Sequence, residues 1–251
     1  SSGGGTNAIS ELLKVPGASN TVLESYIPYS KESMDTFLNK TPDHYCSLET
    51  CLSMAANAFK KSKEIDHKTK TKYLLGIAIT ANLATTYEKR GEHKFFIVIQ
   101  AYNYTKYLEC YLTKGDRTRK QEEELITNFA LSLLAESCNF EFELPEINEE
   151  IKIKNIKAEK SWEKLFNNKV DYISNNQNSP ELIFPGSFNP LHEGHLKMKE
   201  LAEKRTGMHT TFEICANNAD KPPLTFYEIK RTIDQFQNDE SWILTSAGRF
   251  S

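Results

Sequence analysis

The sequence predicts an α/β protein built from two modules, and three observations support this. Its 251 residues exceed the size of one average domain of about 150 residues. Apolar residues at helical spacing alternate with short apolar runs that are typical of strands. In the last third of the chain the elements follow the order strand, helix, strand, helix, strand, which is typical of one half of a doubly wound sheet.

The composition excludes several classes of protein. There are 31 Lys and Arg residues against 34 Asp and Glu residues, a formal net charge of -3. This balance argues against a non-specific binder of nucleic acids or anionic membranes. No apolar run approaches the length of about 18 residues that a spanning helix needs. We therefore expect a soluble protein without nucleic-acid or membrane partners.

The cysteines are odd in number, widely spaced and without a C-x-x-C pair. This pattern predicts free thiols in a reducing compartment, and hence a cytoplasmic location. The chain begins with the loop-like string Ser1–Gly5 and no element before it, so we expect an upstream segment. The five cysteines are Cys46, Cys51, Cys110, Cys138 and Cys215.

The first module reads as mixed α/β. A short helix is predicted over Asn7–Leu13, and the apolar Thr21–Pro28 segment reads as a strand. Ser47 is a plausible cap for a helix whose apolar positions run from Cys51 to Phe59. The continuous apolar run Tyr73–Ile79 predicts a strand buried on both faces.

A hairpin and a packing helix follow. The strand-like runs Phe95–Gln100 and Tyr107–Leu112 flank a polar stretch, which predicts a loop of a few residues between them. The segment Asp116–Ser137 carries acidic residues early and an apolar face throughout, as a packing helix does.

The domain boundaries follow from a change in composition. Residues 141–180 include an acidic patch and end in the Asn/Ser-rich string 174–180, so this segment is interpreted as the linker. The predicted domains are therefore 1–140 and 181–251.

The second module has a regular order of elements. Strands are predicted at Glu181–Phe184, Thr211–Ala216 and Trp242–Thr245, with helices at His192–Arg205 and Thr225–Gln237. A complete sheet of this type has about five or six strands, so the module reads as a truncated, Rossmann-like half-domain.

The most informative string joins the first of these strands to its helix. At such a junction backbone N–H groups and the positive helix end bind phosphate. Gly186 and Gly194 would let backbone approach a ligand, and His192 and His195 share one helix face. This arrangement suits a triphosphate.

The two histidines allow two other interpretations. Zinc would need further ligands, and the nearest, Cys215 and His209, show no motif spacing, which disfavours a metal site. His192 and His195 could also be ordinary capping residues, but the strand, glycine turn and helix around them favour a functional pair.

The string Gly-Ser-Phe-Asn-Pro-Leu-His-Glu-Gly-His at 186–195 resembles the H-x-G-H nucleotidyltransferases, above all the nicotinate and nicotinamide mononucleotide adenylyltransferases. The resemblance implies that His192 and His195 bind a nucleoside triphosphate and stabilise charge at its α-phosphate. It implies Mg²⁺ with ATP or CTP, and a small phosphate-bearing acceptor. The implied nucleotide contacts are Gly186, Ser187, Phe188 and Gly194.

Two basic residues are further candidates. Lys221 follows the second strand of this module at its carboxyl end, where open α/β sheets bind ligands, and is a candidate phosphate contact. Arg231 resembles an arginine of the same branch, although a solvated helix charge explains it equally well. The family's later Ile-Ser-Ser-Thr-x-x-Arg motif does not occur before Ser251, so we expect the chain as given to be a poor transferase.

The first module, over about residues 1–138, resembles the competence-damage-inducible C-terminal family, which includes nicotinamide mononucleotide deamidases. The resemblance implies a nucleophilic Ser2, with Tyr29, Thr80 and Arg117 as further site residues. The blocks that carry it are Ser2–Gly5, Val15–Ser19, Tyr29-Ser30, Gly76–Thr80 and Gly115–Arg117.

Departures from that family's pattern favour a degenerate domain. Met34 stands where the family usually has a lysine, and residues 81–86 replace a glycine-rich segment. A serine nucleophile would then lack an activating base. We expect a ligand-binding or scaffold domain rather than an active deamidase.

The two modules together resemble a two-domain cytidylyltransferase-like family. The shared blocks are Val15–Ser19, Lys89–Gly91, Ser187–His195 and Asp220–Thr225. The leading hypothesis is a nucleotidyltransferase of pyridine-nucleotide metabolism. The alternatives are a deamidase-type hydrolase centred on Ser2 and a non-catalytic nucleotide sensor, and a homo-oligomeric state stays open.

Overall fold

The computed structural model describes residues 1–87, 90–217, 221–237 and 240–246. The chain forms two compact units, Ser1–Asn155 and Ile156–Ser251. Each unit combines a four-stranded sheet with helices, which confirms the predicted α/β class.

The first unit contains helices on both faces of a sheet whose strand order is β1-β2-β3-β4, with β1, β2 and β3 antiparallel. Its helices are α1 (Asn7–Leu13), α2 (Lys31–Leu38), α3 (Leu48–Ile65) and α4 (Arg119–Ser137), and its strands are β1 (Leu75–Asn82), β2 (His93–Ala101), β3 (Tyr104–Leu112) and β4 (Ile151–Lys157).

The layering of this unit follows from the alternation of side chains along β2. The ring of Phe95 packs against Phe129 of α4, with ring centroids 5.6 Å apart. On the opposite face, the Cys51 thiol of α3 donates to the carbonyls of Ala78 and Phe96. Because neighbouring residues in a strand point to opposite faces, α3 and α4 enclose the sheet from its two sides.

Two local predictions differ from the structure. Thr21–Pro28 does not form a strand, and Pro28 has no N–H with which to join a ladder. The hairpin loop is shorter than expected and consists of Tyr102 and Asn103 alone. The polar stretch continues the strands because the buried hydroxyl of Thr105 donates to the Gln100 side chain at 2.7 Å.

The segment interpreted as a linker carries three elements: β4, α5 (Lys160–Phe166) and β5 (Tyr172–Ser174). Trp162 and Leu165 of α5 are buried in the core of the second unit, so apolar contacts hold this segment in place. The Asn/Ser-rich string is also bound, since Trp242 N–H donates to Asn175 Oδ1 at 2.8 Å. The two units divide between Asn155 and Ile156.

The second unit has the predicted order of strands and helices. Its elements are β6 (Leu182–Pro185), α6 (Glu193–Thr206), β7 (Thr210–Cys215), α7 (Phe226–Ile233) and β8 (Trp242–Thr245). The strand order is β5-β8-β7-β6, with β6, β7 and β8 parallel and β5 antiparallel to β8. The segments that follow β6 and β7 therefore leave the sheet at the same edge.

Two broader features of the chain agree with its composition. No helix in the described ranges is long and apolar enough to cross a membrane. None of the five cysteines, all of which lie in described parts of the chain, forms a disulfide.

Gly76 provides a test of the packing of α3 on β1. A Cβ at Gly76 would lie 2.3 Å from Ala55 O and 2.4 Å from Phe59 N, so α3 backbone occupies that space. We expect Gly76→Ala to lower the free energy of unfolding by about 1–3 kcal/mol. Chemical denaturation of this variant measures the change.

The matched control is Gly91→Ala, where the new Cβ would be 3.4 Å from the Asn82 side chain and the site is exposed. Its stability should stay within about 0.5 kcal/mol of the parent. Equal effects of the two substitutions would contradict the close approach of α3 to Gly76.

Candidate functional site

The candidate site is built on the turn that connects β6 to α6. Gly186 N–H donates to Glu213 O at 3.2 Å and so continues the bonding of β6 to β7. Phe188 then adopts a φ of 43°, in the left-handed region that bulky residues rarely enter. Its ring is 1% exposed and lies 5.1 Å from Phe212 and 5.7 Å from Phe236. Core packing thus holds the middle of the turn.

This packing changes the roles expected for two residues of the turn. A Cβ on Gly186 would lie 2.5 Å from Phe188 Cζ, so the glycine makes room for that ring rather than for a ligand. The Phe188 side chain is buried and does not present its ring to a nucleotide. Ser187 is exposed, as a ligand contact must be.

His192 and His195 stack on each other at the start of α6. Their ring centroids are 3.8 Å apart and the rings are inclined by 25°. Gly194 N–H donates to His192 Nδ1 at 3.2 Å, and His192 N–H donates to His195 Nδ1 at 3.3 Å. A Cβ on Gly194 would meet the His192 ring at 3.0 Å, so glycine lets the ring fold over the first turn. Both histidines therefore cap the helix.

The capping bonds determine the tautomer of the two rings. A ring nitrogen that accepts a hydrogen bond carries no proton, so the neutral form has its proton on Nε2. No described residue bonds to Nε2 of His192 or His195. Each ring can therefore donate one N–H bond to a ligand, beside the backbone N–H groups and the positive end of α6.

The electrostatics of this helix end favour a neutral imidazole at His195. Burial lowers the pKa of His195 below its usual value, and the adjacent His192 lowers this pKa further. The carboxylate of Glu193 lies at the same helix end but is paired with Lys197 at 3.3 Å. The start of α6 thus presents the Nε2–H donors of two capping rings.

Lys221 lies in the segment that leaves β7 at the same sheet edge as the histidine turn. Leu224 N–H donates to Ala216 O at 2.8 Å, which ties Leu224 to the residue directly after β7. Lys221 is exposed within it. Arg231 of α7 donates to Asn189 Oδ1 at 2.9 Å and so contacts the histidine turn directly.

The zinc interpretation finds no support among the residues that the structure describes. They contain no group of three or more His, Cys, Asp or Glu side chains placed to hold a metal ion. His209 precedes β7, and its Nε2 lies 2.8 Å from Ser241 Oγ. It therefore lies at the amino end of the parallel strands, away from the edge that carries His192 and His195.

In the first unit, the structure brings two of the four suggested site residues together. Ser2 pairs with Thr80 in a parallel bridge, and the Ser2 hydroxyl donates to Pro28 O at 3.1 Å. Tyr29 is 66% exposed.

Arg117, the fourth suggested residue, is engaged in an ion pair. Its guanidinium makes two bonds to the Glu149 carboxylate, at 2.5 and 2.9 Å. These bonds lower the pKa of Glu149 to about 2. The structure therefore gives Arg117 a role in holding the segment that precedes β4.

Sequence reasoning missed two carboxylates of α4. Glu123 accepts bonds from Gly5 N–H at 2.8 Å, from the Thr6 hydroxyl at 2.8 Å and from Asn7 N–H at 3.2 Å. Its neighbour Glu122 is fully buried. In the sequence, the acidic residues early in α4 indicated only a favourable interaction with the helix dipole.

Glu122 holds a second loop of the first unit. It accepts a bond from Ala84 N–H at 2.6 Å, and its other oxygen lies 2.9 Å from His93 Nδ1. Ala84, two residues after the end of β1, is thereby held from inside the unit.

Comparison with known proteins gives one match. Residues 183–247 match the family model of cytidylyltransferase-like domains, a range that contains the histidine turn, α6, β7 and α7. Searches of curated proteins and of solved structures gave no match. The cytidylyltransferase-like domain suggests a nucleotidyltransferase activity. The first unit lies outside the matched range.

The stacked pair makes a prediction for titration. His192→Asn keeps a capping acceptor at the start of α6 but removes the second imidazole. We expect the pKa of His195, followed by NMR, to rise toward its ordinary value of about 6.5 without reaching it, because burial is the larger cause of the shift. A pKa of His195 that falls in this variant would contradict the stacked geometry.

Proposed function

We propose that the second unit is a nucleotidyltransferase that transfers a nucleoside monophosphate from ATP or CTP to a small phosphate-bearing acceptor. Nicotinamide or nicotinate mononucleotide is the proposed acceptor. The observation that carries the proposal is the pair of Nε2–H donors at the start of α6, within the range that matches cytidylyltransferase-like domains.

In the proposed reaction an oxygen of the acceptor phosphate attacks the α-phosphorus of the triphosphate. The bond from that phosphorus to the α–β bridging oxygen breaks, and pyrophosphate leaves. Negative charge grows on the oxygens around the α-phosphorus and on the leaving group. Preorganised N–H donors from His192 and His195 stabilise that charge, which is the main source of catalysis in transfers of this type. No covalent intermediate with the protein is needed.

The proposed cofactor is Mg²⁺ that enters with the triphosphate. The described residues contain no carboxylate cluster that would hold the ion by itself. In nucleotide sites Mg²⁺ is commonly bound mainly by phosphate oxygens, and the proposed ion would be held in this way. When bound, the ion would neutralise charge on the phosphates.

Lys221 is proposed to bind the acceptor phosphate. Support comes from its exposure and from its place in the loop after β7, at the carboxyl edge of the parallel strands. Ligands bind along this edge in open α/β sheets.

The histidines give the main test of this function. In the full-length protein, His192→Ala or His195→Ala should lower kcat for pyrophosphate release by about 10²–10³, with a smaller change in the KM for the triphosphate. Lys221→Ala should act mainly on the KM for the acceptor. Steady-state kinetics with ATP and with CTP measure both effects.

The matched control is His209→Ala, a histidine of the same unit at the amino end of β7. It should leave kcat unchanged, and thermal melts of all variants exclude loss of the fold. Full activity of His195→Ala would refute the proposed site. Binding of a triphosphate without turnover by the parent protein would favour the nucleotide-sensor alternative.

For the first unit we propose a scaffold role rather than amide hydrolysis. Gly5 N–H at the end of its glycine loop donates to Glu123, and Arg117 is bound by Glu149. The Ser2 hydroxyl donates to a backbone carbonyl, which is no base that could activate it.

We therefore expect no release of ammonia from nicotinamide mononucleotide above the level of a Ser2→Ala variant. A coupled ammonia assay on both proteins measures this. Turnover by the parent that disappears in Ser2→Ala would contradict the scaffold role. Equal amounts of product from both proteins would indicate that the activity does not come from Ser2, in agreement with the scaffold role.

A further inference from the structure

The histidine turn is held by a residue far away in sequence. Between Phe188 and Leu191 the chain leaves the left-handed φ of Phe188 and reaches the start of α6. Gln235 donates from Nε2 to Phe188 O at 2.9 Å and accepts from Leu191 N–H at Oε1, at 2.8 Å. One planar amide thus spans both ends of the turn.

Gln235 is well suited to this bridge. The turn offers one acceptor and one donor, and a side-chain amide is the uncharged group that satisfies both at once. Gln235 lies two residues after the last residue of α7 and is partly buried, so its position is fixed by the helix before it. The neighbouring Phe236 packs its ring 5.2 Å from Phe212, which anchors the same segment to the core.

We infer that Gln235 is a positioning residue for the histidine pair. The inference rests on the proposed function of that pair. The two hydrogen bonds of the Gln235 side chain fix the backbone immediately before the capping residue His192. They therefore also fix where the Nε2–H donors of both histidines lie relative to the end of β6. Arg231, from the last turn of α7, makes an independent contact to Asn189 of the same turn.

Gln235 matters for turnover because the rate of nucleotidyl transfer depends steeply on the position of the hydrogen-bond donors. Donors that stabilise a transition state must lie close to where charge develops, and a misplacement of about 1 Å can cost about 10²-fold in rate. Phe188, in the middle of the turn, has backbone dihedral angles in an unfavourable region, and such a turn relaxes when its restraints are removed. Loss of the Gln235 bridge should therefore reduce turnover although Gln235 contacts no reacting atom.

The test compares Gln235→Ala with Gln235→Glu in the full-length protein. Gln235→Ala removes both bonds, and we expect kcat to fall by about 10–100-fold with little change in the triphosphate KM. Gln235→Glu keeps the size and the acceptor for Leu191 N–H but loses the donor when ionised. Once protonated it regains an O–H donor, so its kcat relative to the parent at the same pH should rise as pH falls.

The charged and titratable groups near this bridge are the two histidines, Arg231, and Asp234, which pairs with Lys230. They are common to parent and variant, so the ratio of rates isolates the new carboxyl group. A ratio that does not change with pH would contradict the bridging role.

A second readout does not depend on activity. NMR titration of the histidine rings should place the pKa of His195 nearer its ordinary value in Gln235→Ala, because the ring pair loses its fixed backbone. The matched controls are Gln237→Ala and Gln237→Glu, since Gln237 is exposed and lies two residues further along the same segment. Both controls should behave as the parent.

The kinetic and titration measurements together distinguish a failure of the positioning role from a failure of the proposed function. A parent protein without transferase activity, in which Gln235→Ala still changes the histidine titration, would refute the proposed function and leave the positioning role supported. Unchanged kcat and unchanged titration in a folded Gln235→Ala variant would overturn the positioning role. Equal losses in the Gln235 and Gln237 variants would overturn it as well.

Discussion

Parallel pairing of β6 with β7 is the constraint on which the candidate site depends. Pro185 lies opposite Glu213, and Gly186 extends the ladder by one more bond to the Glu213 carbonyl. Two parallel neighbours end at the same edge, so the histidine turn and the loop with Lys221 share that edge. Antiparallel pairing would send one of them to the other end of the sheet, and no local motif could compensate for this.

In the proposed function the histidine pair meets two demands that oppose each other. As caps, His192 and His195 use Nδ1 as an acceptor, which requires neutral rings. A bound triphosphate, by contrast, favours protonated rings because of its negative charge. The low pKa of His195 moves the balance toward the neutral form and keeps the cap intact before a ligand arrives. Binding through N–H donors then does not require the cap to break.

The sequence predicted the elements that depend on local patterns and missed those that depend on distant contacts. The order of strands and helices in the second unit follows from apolar periodicity and turn residues, which act within about ten positions. Gln235 could not be found in this way, because its partners lie 44 and 47 positions earlier. The same holds for Glu123, 118 positions from Gly5, and for the burial of Trp162 in a segment whose composition reads as a linker.

The two units differ in whether their hydrogen-bond donors are already bound by other groups of the protein. In the first unit the Glu123 carboxylate accepts three hydrogen bonds, from Gly5, Thr6 and Asn7 at the end of the glycine loop. A phosphate at this position would have to displace that charged group. In the second unit, Gln235 takes up the polar backbone groups at the two ends of the turn, and no described residue bonds to the outer nitrogens of the two histidines. A carboxylate in place of Gln235 would add a negative charge beside the histidine turn and would lose the bond to Phe188 O. A neutral amide holds the turn without adding charge beside the two histidines.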